Sequence, residues 1–69
     1  MDQAKLKLRE AISCYFDKDR SGIIPAGEIV EPTSIIIGGR IRVHWSGSNE
    51  GMGFVMVDQK ELESYADPL

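Results

Sequence analysis

The sequence predicts a mainly β domain with one N-terminal α-helix, curled into a small barrel. Three observations predict it. Apolar residues recur with a helical period over the first seventeen positions, the period drops to two after Gly22, and Gly38-Gly39 separates two apolar runs. At 69 residues the chain is expected to be a single domain, with residues 1–21 as helix and exit turn and residues 22–69 as barrel. A chain of this length hides only about 60% of the surface its unfolded form exposes, so a thin core and no deep catalytic pocket are expected.

The helix is read from Leu8, Ala11, Ile12, Tyr15 and Phe16, which recur at i, i+3, i+4, i+7 and i+8, while Lys5, Lys7, Arg9 and Glu10 fall mostly elsewhere. Asp2 is the candidate N-cap, and neither Gly nor Pro interrupts the run before Gly22. Beyond it, β-branched residues take over. Gly27-Glu28-Ile29-Val30-Glu31 reads as a short strand between Pro25 and Pro32. Ile35-Ile36-Ile37 and Arg40-Ile41-Arg42-Val43-His44-Trp45 form the arms of a hairpin, because a two-residue primed turn needs the positive φ that glycine adopts freely. In the second arm Ile41, Val43 and Trp45 are expected to face the core, with Arg40, Arg42 and His44 facing out. Ser46 to Gly53 reads as a loop and Phe54-Val55-Met56-Val57 as a strand. Asp58 followed three residues later by Glu61 has capping-box spacing and predicts a short helical turn. The expected core joins Ile41, Val43, Trp45 and Phe54 to Leu8, Ile12 and Tyr15 or Phe16.

Four or five short strands with tight turns would leave two open sheet edges, and curling into a barrel removes them. The runs Ile24-Pro25-Ala26-Gly27-Glu28-Ile29-Val30-Glu31, Gly39-Arg40-Ile41-Arg42-Val43-His44-Trp45 and Gly53-Phe54-Val55 with Glu61-Leu62-Glu63 resemble the landmarks of SH3-like barrels of the bacterial type. The resemblance covers residues 23–65. It implies a barrel fold shared by binders of peptides, nucleic acids and cell walls and by subunits of enzyme complexes. It differs from peptide-binding SH3 domains in lacking a clustered acidic and aromatic groove segment.

The segment Asp17 to Glu28 resembles the twelve-residue calcium loop of EF-hand proteins. That chemistry needs carboxylates at positions 1 and 3, an oxygen at 5, glycine at 6, a backbone carbonyl at 7 and a bidentate glutamate at 12. Asp17, Asp19, Ser21, Gly22, the Ile23 carbonyl and Glu28 stand in those places. The resemblance implies calcium as cofactor, with Asp17, Asp19, Ser21, Ile23 and Glu28 as ligands. Against it, Ile29 and Val30 follow Glu28 and Pro32 closes the segment, so a second helix has no room to run. A cation held without that helix would bind at about 10⁻⁴ to 10⁻³ M.

Charge and chemistry narrow the function. Eleven acidic against eight basic residues give a net charge of -3, with five of the acids after Ser46, so a general affinity for nucleic acid is not expected. The single cysteine, Cys14, forms no internal disulfide and reads as packing, and no apolar run reaches the roughly 18 residues of a membrane helix or secretory signal, which points to the cytoplasm. One His and one Cys supply neither a zinc quartet nor a nucleophile pair, and no Gly-rich phosphate loop occurs, so an enzyme is not expected. The expected function is a non-enzymatic protein-interaction module, an accessory or regulatory subunit, that meets another protein through Arg40, Arg42 and His44. The alternatives are the calcium module and a small nucleic-acid-binding barrel using the same three residues.

Overall fold

The structure, a computed structural model, describes residues 5–48 and 53–69. Among these residues the elements are β1 (Leu6–Leu8), β2 (Ile12–Tyr15), β3 (Ser21–Ile24), β4 (Ile29–Ile37), β5 (Arg40–His44), β6 (Phe54–Asp58), α1 (Gln59–Tyr65) and β7 (Ala66–Pro68). The strands form one antiparallel sheet in the order β3-β2-β6-β5-β4-β1-β7. Its ends, β3 and β7, stay apart.

Two expectations are corrected. Residues 5–17 form β1, a bend and β2 rather than an N-terminal helix, and the sheet is open rather than closed into an SH3-like barrel. The helical stripe and two short strands share most of their apolar positions: Leu6 and Leu8 alternate, then Ile12 and Cys14 alternate. The residues that distinguish the two readings side with strands. Ala11 is exposed, and Tyr15 lies on the face of β2 opposite to buried Cys14. An isolated helix of about this length is marginal in water, so pairing with β4, β7, β3 and β6 outweighs its propensity. Asp2, the expected cap, lies outside the described residues, as do residues 49–52 of the expected 46–53 loop.

The core is built from small and branched side chains. Leu8, Ile12, Cys14, Ile24, Val30, Val43, Val55, Val57 and Leu62 are buried, with Ile41 and Ala66 at its margin. The parity follows from register: Ile41 pairs with Val57 and Val43 with Val55, while Cys14 pairs with Val57 from the other side. α1 covers this face with Leu62 and returns the chain to β7, which pairs with β1 through Leu8 and Ala66. Asp58 stands at the helix N-cap position as expected, yet its carboxylate makes no cap hydrogen bond.

Of the strand expected at 27–31, residues 29–31 join 35–37 in one strand, β4, while Gly27 and Glu28 belong to the turn that precedes it. Pro32 does not end it, because β4 pairs with β1 only at Ile29 and Val30 and with β5 from Glu31 onward. The register then shifts between Pro32 and Ile36, a bulge where a residue lacking N–H is tolerated. Thr33 holds the bulge: its Oγ1 donates to the Arg42 carbonyl at 2.8 Å and accepts the Ile35 N–H at 3.2 Å. Past the bulge Ile37 pairs with Arg40 across Gly38 and Gly39, whose φ values of 59° and 80° are those of a primed hairpin turn. Gly39→Val should therefore destabilise the fold by about 1 kcal/mol or more, because a β-branched residue tolerates positive φ poorly. Urea unfolding measures this, and an unchanged midpoint would mean that the turn does not need that conformation.

Candidate functional site

Register decides what the outer face carries. Arg40 pairs with Asp58, Arg42 with Met56 and His44 with Phe54, while Tyr15 of β2 pairs with Met56 from the far side. Side chains directly opposite on one face stand close enough to touch. The result is a patch of two arginines and a histidine interleaved with aromatic rings, on the reverse of the valine core.

Each of the three is placed differently. The Arg40 guanidinium lies 3.7 Å from the centroid of the Tyr15 ring, and its Nε is 3.5 Å from Asp58 Oδ1. Tyr15 donates its hydroxyl to Asp58 Oδ2 at 3.4 Å, so arginine, tyrosine and aspartate form one linked group. This explains why Asp58 does not cap α1. The Arg42 guanidinium lies 4.4 Å from the Phe54 centroid. His44 meets the same ring edge-on, with centroids 5.1 Å apart and planes at 69°. Gly53 makes this approach possible, since its φ is +89° and a Cβ there would stand 2.8 Å from His44 Nε2.

Beside these side chains runs a groove of about 300 Å³ lined by Tyr15, Ile35, Ile37, Arg42, Phe54 and Met56. Its borders are β4 and β2, three strand spacings or about 14 Å apart, and its floor is β5 and β6. Ile35, Ile36 and Ile37 leave 41%, 50% and 68% of their surface in solvent, an unusual run of aliphatic side chains for a hairpin arm.

The structure keeps Arg40, Arg42 and His44 together on the expected face. It corrects Phe54, which is half-buried on that outer face and not in the core. Trp45 is also only half-buried: it packs against the core at the end of β5 and donates its indole N–H to Glu28 Oε1 at 2.8 Å. Tyr15, Ile35 and Ile37 are not singled out for the site by sequence, and Met56, which the sequence offers both as a core filler and as part of a contact surface, stands half-buried in the groove. A signal existed in Phe54-Val55-Met56-Val57, where the two valines share a parity suited to the small core and the two bulkier residues share the other. Lys60, in the first turn of α1, stands beside the Gly38-Gly39 turn at the end of the patch.

The residues of the calcium resemblance are not gathered. Asp17 and Asp19 lie in the turn of the β2–β3 hairpin, which replaces the incoming helix. Ser21 and Ile23 belong to β3, and Glu28 precedes β4, where Trp45 holds it. Asp17 Oδ1 accepts the N–H groups of Asp19 and Arg20 at 2.9 and 3.0 Å, and its Oδ2 accepts Arg20 Nε at 3.0 Å. Among the described residues no three metal-ligating side chains converge. The turn is thus held by an aspartate that bonds its own backbone, the usual use of Asp in a turn.

Cys14 is buried between β3 and β6, and burial pushes its thiol up, partly offset by a hydrogen bond with the Gly22 backbone. A thiol so placed is a packing group rather than a nucleophile. Among the described residues no helix is long and apolar enough to cross a membrane. No family model, no curated protein and no solved structure matches the chain.

The Asp17 turn has a pH signature. The Asp19 N–H, and then the Arg20 side chain, hold the Asp17 carboxyl below the usual carboxylate range. A carboxyl depressed in the folded state contributes stability above its unfolded pKa, and that contribution is lost as pH falls through the folded value. The side-chain carboxyl ¹³C resonance of Asp17 should titrate below an ordinary aspartate, and Arg20→Ala should restore only part of the difference. Full restoration in that variant would contradict the leading role given to the Asp19 amide.

Proposed function

We propose that the chain is a small non-enzymatic protein-interaction module, an accessory or regulatory subunit in the cytoplasm, which meets another protein through the outer face of β5 and β6. The observation that carries this reading is the groove of Tyr15, Phe54 and Met56, walled by exposed Ile35 and Ile37 and lined with Arg42. Aromatic residues, methionine and arginine are the types enriched where proteins meet, because they join a large apolar area to few, well-placed polar groups. Pinning Arg42 and Arg40 on rings lowers the entropy lost when a partner orders them.

A nucleic-acid backbone fits this face less well. Arg40 already has an aspartate beside it, and the net charge of -3 opposes a polyanion. The cytoplasmic part of the reading is supported by Cys14, which is buried as a free thiol.

The test is a photo-crosslinking amino acid placed at Ile35 or Ile37 in cells of the source organism, with Lys7 of β1 and Glu63 of α1 as control positions. The outer-face positions should give a discrete protein adduct that the controls lack and that Met56→Asp removes. Equal adducts from all four positions, or adducts insensitive to Met56→Asp, would overturn this function for the face.

A further inference from the structure

The chemistry of the groove specifies what its partner presents. The guanidinium groups of Arg40 and Arg42 each stand over a neighbouring ring, but only Arg40 has a carboxylate next to it. Among the described residues Arg42 makes no ion pair. Stacking occupies the face of a guanidinium and leaves its rim of N–H donors, and that rim matches the two oxygens of a carboxylate. On the same floor Met56 of β6 stands directly opposite Arg42 with Tyr15 of β2 beyond it, the Phe54 ring lies diagonally beneath the guanidinium, and Ile35 and Ile37 of β4 form the wall on the other side of β5. The cation is therefore bracketed by apolar surface.

We infer that the groove takes an extended segment of a partner protein in which a carboxylate side chain is flanked by aliphatic ones, the carboxylate going to Arg42 and the aliphatic groups to Met56 and the Ile35–Ile37 wall. This rests on the interaction reading of the same face and names the partner's chemistry. Charge complementarity selects this occupant over two others. A second copy docked face to face about a two-fold axis through the groove would set the arginines of one patch against the same basic patch of the other copy. A basic segment would meet Arg42 with like charge.

The test titrates the isotope-labelled full chain with three end-blocked pentapeptides, Ser-Leu-Glu-Leu-Ser and its forms with Gln or Lys at the centre. The Glu peptide should shift the Arg42 Nε–H, the Phe54 amide and the Met56 methyl, and bind about tenfold more tightly than the Gln peptide, as a charge-assisted bidentate pair implies. Arg42→Gln should erase that ratio, Arg42→Lys should reduce it, and Arg42→Glu should turn the preference to the Lys peptide, each with a wild-type pattern of core amide shifts.

Glu and Gln peptides that bind the face equally would overturn the carboxylate inference while leaving an interaction face. Peptides that leave Arg42, Phe54 and Met56 unmoved would overturn the inference, and the crosslinking result would then decide the wider reading alone. Concentration-dependent self-association in sedimentation, abolished by Met56→Asp, would also overturn it by naming a second copy as the occupant.

Discussion

The pairing of β5 with β6 is the constraint on which both halves of this molecule depend. Five consecutive residue pairs, from Arg40 with Asp58 to His44 with Phe54, set every side chain of these two strands on one face or the other. Ile41, Val43, Val55 and Val57 close the core, and the alternate positions build the cationic and aromatic patch. Because the side-chain period of a strand is two, a slip of one residue would expose the valines and bury Arg42. Core and candidate site are thus two consequences of one register.

The rest of the chain reinforces that register from its flanks. On one side Cys14 and Tyr15 of β2 continue both faces, with Cys14 against Val57 inside and Tyr15 against Met56 outside. On the other, the Gly38-Gly39 turn fixes Ile37 opposite Arg40, and the Thr33 bulge then lets β4 change partners and run on to β1. Asp58 sits where these demands meet. It holds Arg40 and Tyr15 on the outer face and gives up the cap it could have offered α1, so the local helix signal yields to the sheet. In a core of mostly valines, isoleucines and leucines, large rings have little room, which is why Phe54 lies outside under Arg42 and Trp45 lies at the margin beside Glu28.

What could be read from the sequence follows the same physics. The hairpin at residues 35–44 was legible because a Gly-Gly turn and strict alternation point to one structure, and Arg40, Arg42 and His44 accordingly stand on one face. The first seventeen residues were not legible, since Leu8, Ile12 and Tyr15 suit a helical stripe as well as two strands, and only distant partners, β4 and β7 for β1, β3 and β6 for β2, decide between them. The closed barrel was inferred from the need to hide edges, a need that this sheet leaves unmet at β3 while Pro68 blunts β7. The spacing of Asp17 to Glu28 matches a calcium loop in sequence, but the same aspartates serve a hairpin turn, and Glu28 accepts the Trp45 indole N–H. Most of the groove was missed for a related reason: its rings and aliphatic side chains come from β2, β4 and β6, and nothing local in any one of these strands announces the others.

The register of β5 against β6 can be measured directly by cross-strand nuclear Overhauser effects in the labelled chain. Contacts are expected between the backbones of Arg42 and Met56 and of Val43 and Val55, with Arg42 side-chain protons near the Phe54 ring and shielded by it. Contacts shifted by one residue, pairing Arg42 with Val55, would contradict this register, because the groove and the core could not then lie on opposite faces of the same two strands.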